Sequence, residues 1–286
     1  MYPPAMGRAV AIVTDSTAYL DNAVAADCDI AVVPLQVVVE GRPYDEGTTF
    51  GPRDLADALR RRVRVSTSRP SPRAFLDVYE SAAASGAGGV VSVHISGHLS
   101  GTADAARLAA HDSPVPVEVV DSYSLGMGLG YAVLAAVEAA DRGLAVDEVA
   151  EVARRRAMRS SAFFYVDTLE YLRRGGRIGA AAALLGTALS VKPLLHLDGG
   201  VIQPLEKVRT SSRAVARLED LALERAGPGH VDVAVHHLDN AERARGLAER
   251  LRARLPALGQ MVVSEVGAVI GAHVGPGLLA VVVSPR

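Results

Sequence analysis

Short β-branched runs alternate with helical patterns of apolar residues through the first half of the chain. This alternation is typical of an α/β protein with a parallel sheet. The predicted strands are 10–14, 30–38, 89–95 and 117–121, and the predicted helices begin near Pro52, Pro72, Ser100 and Gly128. Proline or a small polar residue at or near each start supports these boundaries. The first half therefore predicts a three-layer α/β/α domain with ligands bound beyond the carboxyl ends of its strands.

The pattern changes near Ser160, where six further strands are predicted at 163–166, 194–197, 201–205, 231–236, 261–265 and 278–283. Asp198-Gly199-Gly200 predicts a hairpin between two of them, so the second sheet must be mixed. We therefore expect an N-terminal α/β/α domain over 1–160 and a C-terminal two-layer α/β domain with a mixed six-stranded sheet over 161–286. The apolar stretch 178–191 is shorter than the about 20 residues that span a bilayer, and we expect it to form a buried helix.

Composition and charge restrict the partners of the chain. Its 286 residues include 30 basic and 32 acidic side chains, which argues against nucleic acid or an anionic membrane as the main partner and leaves transient membrane contact open. Arginine runs at 60–62, 154–156 and 173–174 are typical of solvated helix faces, although one could be a docking patch for a protein.

Cys28 is the single cysteine, which excludes an intrachain disulfide and a thiolate metal cluster. Residues 1–8 lack the apolar core of a signal peptide, so we expect a cytoplasmic protein.

Two hydroxyl-rich turns, 67–72 (TSRPSP) and 95–102 (ISGHLSGT), stand where an extended segment gives way to a predicted helix. The first amides of a helix have no intrahelical acceptor, and serine and threonine add neutral donors, so such turns suit a carboxylate or phosphate oxygen. The alternative is that Ser71, Ser100 and Thr102 only cap their own helices. The residues themselves leave both interpretations open.

The glycine-rich segment 267–277 carries His273 between two predicted strands. We interpret it as a connection that brings backbone and an imidazole donor to a ligand, or else as a tight loop whose histidine caps a carbonyl. Arg177 either faces a phosphate or pairs with a surface carboxylate.

No metal site is predicted at His94 and His98, which lie across a strand end and a turn without an acidic third ligand, and no cofactor is predicted. The nucleophile elbow and the Walker A loop are absent, and Gly126, Gly128 and Gly130 are predicted to allow close backbone approach at a helix start.

Taken in order, these segments resemble the DegV family of bacterial fatty-acid-binding proteins. The resemblance runs through 13–17 (VTDST), 67–72, 95–102, Asp121-Ser122, 167–172 (DTLEYL), 175–178 (GGRI), Lys192-Pro193, Arg209-Thr210 and the histidine segment. It implies a two-domain α/β fold that holds one long-chain fatty acid between the domains. The best understood members are subunits of bacterial fatty acid kinase, which present the carboxylate to a separate ATP-binding subunit and carry away the acyl phosphate. The resemblance thus implies a lipid-binding subunit without catalysis of its own.

The resemblance also implies roles for individual residues. Thr67, Ser100 and His273 match the carboxylate donors, assisted by the amides around Gly101 and Thr102, and Arg177 and Arg209 match arginines expected to contact the phosphate or the kinase. Arg69 departs from the family, which more often has glutamine there, and it adds a positive charge beside Thr67.

Two other functions compete with a kinase-linked carrier. A lipid sensor or buffer would share the pocket but tolerate the loss of Arg177 and Arg209. A self-contained acyl hydrolase or phosphotransferase would use Ser100 and His273, but the missing elbow and nucleotide motifs count against it, as does the lack of an evident acid to orient His273.

Overall fold

The computed structural model describes residues 8–184 and 192–286, and the chain divides into two compact units. The first unit comprises the chain up to Gln36 together with Ser68–Met158, and the second comprises Val37–Thr67 and Arg159–Arg286. This division differs from the expected 1–160 and 161–286 in one respect. Residues 37–67 leave the N-terminal part of the sequence and belong to the second unit.

Regular elements cover most of the described chain. The strands are β1 (Val10–Asp15), β2 (Ile30–Val33), β3 (Gln36–Val39), β4 (Arg42–Asp45), β5 (Val65–Ser68), β6 (Gly89–His94), β7 (Val117–Asp121), β8 (Ser161–Tyr165), β9 (Lys192–Asp198), β10 (Val201–Val208), β11 (Val231–His237), β12 (Leu258–Glu265) and β13 (Leu279–Pro285). The helices are α1 (Asn22–Asp27), α2 (Pro52–Arg60), α3 (Pro72–Ala84), α4 (Thr102–Ala110), α5 (Met127–Asp141), α6 (Val146–Arg159), α7 (Glu170–Arg174), α8 (Ser211–Ala226), α9 (Ala241–Arg254) and α10 (Ala268–Val274). Short 3-10 helices lie at Ser16–Ala18 and Gly179–Leu184. No helix within 8–184 and 192–286 has the length and apolar character needed to cross a membrane.

The sheet of the first unit is parallel throughout, in the order β2-β1-β6-β7. α3 and α4 pack on one face, where Phe75 and Tyr79 join Val13 and Val90 in one apolar cluster, and α5 packs on the other face. β6 is buried along its whole length because helices cover both faces. The predicted three-layer α/β/α arrangement is confirmed.

Close backbone approach at the start of α5 is also confirmed. The amide of Gly126 donates to the carbonyl of Thr17 at 2.8 Å. A side chain at Gly130 would overlap the carbonyl oxygen of Ala18, so only glycine fits against this backbone.

The second unit contains the predicted six-stranded mixed sheet, and its strand order is β10-β9-β8-β13-β11-β12. Its neighbours are antiparallel except for the parallel pair β11–β12, and β9 and β10 form the predicted hairpin around Gly199 and Gly200. α8 and α9 cover one face, where Leu218, Leu247 and Leu251 are fully buried. A separate three-stranded sheet has the order β4-β3-β5, which makes β5 an edge strand.

Two predicted elements differ from the structure. The single strand expected over 30–38 is divided into β2 and β3, because Pro34 lacks an amide donor and restricts the residue before it. The buried helix expected over 178–191 is wrong in its described part, which is a 3-10 helix with only Ala181 buried. Gly179 has a φ of +54°, which a regular α-helix does not use. Residues 185–191 lie outside the described residues.

Candidate functional site

The second unit contains a cavity of about 550 Å³, a volume usual for small-molecule sites. Its wall comes from three segments: residues 59 and 62–67 at the end of α2 and along β5, residues 171–177 at α7, and the C-terminal half of α10. Four arginines, three hydroxyl side chains and His273 line it, and none of its described lining residues is acidic. The cavity therefore favours an anionic ligand.

Thr67 and His273 meet at the wall of this cavity although 206 residues separate them in sequence. The distance between Thr67 Oγ1 and His273 Nε2 is 2.8 Å, while His273 Nδ1 is buried without a hydrogen-bond partner among the described residues. A buried N–H without an acceptor is rarer than a buried acceptor without a donor, so we assign the ring proton to Nε2. His273 then donates to Thr67, and the Thr67 hydroxyl proton is left to donate to a ligand oxygen.

His273 is held neutral by its surroundings. Burial, together with the smaller effect of the positive charge of Arg177, lowers its pKa to about 4. The ring packs against the Cα of Gly175, where a Cβ would lie only 2.0 Å from Nδ1. Glycine at 175 thus makes room for the imidazole, and the Thr67–His273 pair offers hydrogen-bond donors without a formal charge at neutral pH.

His273 lies on the short helix α10, not on the loop expected from its glycine-rich sequence. The carboxylate of Glu46, only 5% exposed, accepts a hydrogen bond from the amide of Val269 at 2.7 Å and so satisfies a free amide at the helix start. Gly271 lets the side chains of Leu55 and Leu238 pack directly against the helix. These contacts between distant parts of the sequence explain why the local pattern did not predict a helix.

The arginines at the cavity differ in what they contact. Arg177 Nη1 donates to the carbonyl of Gly175 at 2.6 Å. Arg174 forms an ion pair with Glu170 at 2.6 Å. The guanidinium groups of Arg62 and Arg64 form no ion pair or hydrogen bond with a described residue. Arg209 is exposed between β10 and α8 and is not among the described residues that line the cavity.

The second predicted group of donors lies in the first unit, in the turn before α4. Ser100 Oγ and Thr102 Oγ1 are 2.8 Å apart, Thr102 is fully buried, and no side chain caps α4, whose N-cap residue is Gly101. Capping alone therefore does not account for Ser100. Ser71, in contrast, accepts from the amide of Ala74 at 3.2 Å and is the cap of α3.

Arg69 belongs to the same turn region of the first unit. Its Nη1 donates to the carbonyl of Gly101 at 3.4 Å, and the guanidinium occupies the space that a side chain at Gly101 would need. The positive charge of Arg69 thus stands at Gly101, the residue between Ser100 and Thr102.

A buried polar network that the sequence did not reveal supports this turn. Asp15 Oδ2 accepts from the amide of Ile95 at 2.9 Å and lies 3.1 Å from His94 Nδ1. His94 Nε2 lies 2.7 Å from Ser92 Oγ, which also accepts from the Tyr79 hydroxyl. The sequence shows only that Asp15 and His94 lie at the ends of two β-branched runs, and the pairing of β1 with β6 in the structure is what brings the two side chains together. The network ties the first residue of the 95–102 turn to the sheet.

No cluster of three or more potential metal ligands occurs within the described ranges. The structure brings Thr67, Arg177 and His273 together in the second unit, and Ser100, Gly101 and Thr102 together in the first.

Comparison with known proteins shows similarity to the DegV family along nearly the whole chain. The family model described as "Uncharacterised protein, DegV family" matches residues 9–286. A DegV domain-containing protein of Streptomyces coelicolor is 59% identical over 281 residues, which cover 98% of this chain and 100% of the relative.

Solved structures agree with the fold. A DegV family protein from Thermus thermophilus, described by its fatty acid binding, has a TM-score of 0.92 and 33% identity over 98% of this chain and 100% of its own. DegV from Bacillus subtilis, described as a fatty acid binding protein, has a TM-score of 0.90 and 32% identity over the same shares of the two chains.

Proposed function

The chain belongs to the DegV family, and from this premise we propose that it binds one long-chain fatty acid and presents the carboxylate to a separate ATP-dependent kinase subunit. In the proposed reaction a carboxylate oxygen attacks the γ-phosphorus of ATP, the bond from that phosphorus to the β-phosphate oxygen breaks, and ADP leaves. The products are an acyl phosphate and ADP. The binding protein would work in the cytoplasm, and the kinase subunit would supply the nucleotide site.

The observation that carries the proposal is the Thr67–His273 pair at the cavity wall. Relatives with 33% and 32% identity are described as fatty acid binding, and this pair gives the present chain a donor for a carboxylate. Burial of an acyl chain contributes about 0.8 kcal/mol per methylene before ordering costs. A hydrogen bond to a charged head contributes about 1.5–3 kcal/mol. The tail would therefore set most of the affinity, and the head-group donors would set the orientation.

Neutral donors also suit transfer of the ligand. A positively charged imidazolium would form an ion pair with the carboxylate and stabilise its negative charge, which makes the oxygen a weaker nucleophile toward phosphorus. The pKa of His273, lowered to about 4, keeps the imidazole uncharged near pH 7. Ser100, Gly101 and Thr102 stay proposed contacts of the carboxylate, and Arg177 and Arg209 stay proposed contacts of the phosphate or the kinase.

The two competing functions make different demands. A hydrolase that used His273 as its base would need an acid on Nδ1, and no described residue forms a hydrogen bond there. A sensor or buffer would bind lipid equally well, so only the kinase reaction separates it from the carrier.

Native mass spectrometry of the purified protein, followed by identification of extracted lipid, tests the binding. We expect one fatty acid per chain. ATP and a candidate kinase subunit encoded in the same genome are then added, and acyl phosphate is trapped with hydroxylamine. Bound lipid without any acyl phosphate would favour the sensor, whereas a protein that takes up no fatty acid would refute the proposal.

Variants of the head-group pair test the assignment of residues. Thr67→Ala removes one hydrogen bond to a charged group, so we expect the affinity for fatty acid to fall about 10- to 100-fold. His273→Gln should also weaken binding. His230→Gln is the matched control, because His230 is exposed and does not line the cavity. Wild-type affinity in Thr67→Ala and His273→Gln would show that the pair does not bind the carboxylate.

A further inference from the structure

We propose that Arg62 and Arg64 form a phosphate subsite of the cavity in the second unit, which holds the phosphoryl group of an acyl phosphate. This inference rests on the proposed function and deepens it, because it assigns residues to the product. Both arginines line the same cavity as Thr67 and His273, and neither guanidinium has a partner among the described residues. They are therefore the cavity's two uncommitted cations in the described chain.

The charge of the product explains why a second group of donors is needed. A carboxylate carries one negative charge, which the neutral Thr67–His273 pair can accommodate, whereas the terminal phosphate of an acyl phosphate, like that of a phosphate monoester, carries about −1.5 to −2 at pH 7 and three acceptor oxygens. Guanidinium groups match phosphate oxygens with paired N–H donors. Arg174 is already paired with Glu170, and Arg177 donates to the carbonyl of Gly175, so Arg62 and Arg64 have the most donors left.

The backbone at Arg62 gives an independent argument. Arg62 has a φ of +56°, which L-residues other than asparagine and aspartate seldom adopt. Its amide donates to the carbonyl of Leu59 and that of Val63 to Ala58, a helix end at which glycine is the usual residue. Arginine at position 62 thus has a backbone cost that glycine would not have, which is consistent with a use for its side chain at the cavity.

Direct binding measurements with two probes of equal chain length test the subsite. Hexadecanoate carries the carboxylate, and hexadecyl phosphate is a stable stand-in for the acyl phosphate. In the double variant Arg62→Gln/Arg64→Gln we expect the affinity for hexadecyl phosphate to fall about tenfold or more, with less than about a threefold change for hexadecanoate. Because both arginines are exposed, raising NaCl from 50 to 500 mM should reduce the wild-type preference for the phosphate probe.

Arg61→Gln is the matched control, since Arg61 lies in the same arginine run, is exposed, and does not line the cavity. An equal loss for both probes in the double variant, or an equal loss in Arg61→Gln, would overturn the subsite. Inorganic phosphate is a further competitor. If the same concentration of inorganic phosphate displaced hexadecanoate and hexadecyl phosphate equally, the subsite would be overturned as well. Wild-type protein that binds hexadecanoate but not hexadecyl phosphate overturns the subsite and leaves the proposed function intact, whereas protein that binds neither overturns both.

Discussion

The protonation state of a single residue, His273, decides whether the cavity offers the ligand a neutral donor or a positive charge. We expect the imidazole resonances of His273 to titrate with a midpoint near pH 4, because burial removes water from the charged form and Arg177 repels it. Arg177→Gln should raise the pKa of His273 but leave it below the usual value of about 6.5, since burial is the larger cause. NMR titration of the ligand-free protein measures both. A midpoint near 6.5 in the wild type would contradict the assignment of a neutral donor.

At the scale of single elements, the end of α2 shows a local conflict between backbone and side chain. Arg62 follows the helix with a φ of +56°, whereas Arg61 has a φ of −77° in the ordinary right-handed region. Arg62→Gly should therefore raise the free energy of unfolding by about 0.5–1 kcal/mol. Arg61→Gly should lower it by a similar amount, because glycine there only adds freedom to the unfolded chain. Urea denaturation measures both. A free energy of unfolding that does not rise in Arg62→Gly would mean that the backbone at Arg62 is not strained, and an equal rise in Arg61→Gly would mean that the gain is not specific to the φ of residue 62.

The elements that could be predicted from sequence are those whose pattern is local. The strands of the four-stranded and six-stranded sheets were predicted to within a few residues, apart from the division of 30–38, because β-branched runs and the Gly199–Gly200 turn depend only on neighbouring residues. β4 and β5 of the three-stranded sheet were not predicted. The helical form of α10 was not predicted, since it depends on Glu46, which lies 223 residues from the amide that it caps. Placement of 37–67 in the second unit is likewise a matter of distant contacts.

The candidate site was predictable only in part for the same reason. No spacing or periodicity connects Thr67 with His273, and only the resemblance to a family placed them in one role. The network of Asp15 and His94 was missed because it depends on β1 and β6 being neighbours, and the sequence does not give the strand order. Arg62 and Arg64 belong to a basic stretch that is typical of a solvated surface, and it is their place at the cavity, which Arg61 does not line, that gives them a candidate role.

At the scale of the whole molecule, buried histidines make stability depend on acidity. His236 lies within β11, and its complete burial, reinforced by His237, lowers its pKa to about 4. Burial likewise lowers the pKa values of His237 and His273. The unfolded chain, with histidine pKa values near 6.5, therefore binds more protons than the folded chain between about pH 4 and 6.5. Stability should be greatest above pH 6.5 and fall as the pH drops through this window.

His236→Gln isolates the contribution of one fully buried histidine to this pH dependence of stability. Each buried histidine contributes a slope of up to about 1.4 kcal/mol per pH unit, so the variant should lose up to that much of the wild-type slope between pH 6.5 and 4.5. Glutamine retains a side chain able to bond with Ser264, whose Oγ lies 2.9 Å from His236 Nδ1, but it does not titrate. Urea denaturation at half-unit pH steps, monitored by far-UV circular dichroism, gives the slope of the free energy of unfolding against pH for the variant and for the wild type. Equal slopes in variant and wild type would mean that His236 is solvated or charged in the folded protein, and that the acid sensitivity arises from carboxylates instead.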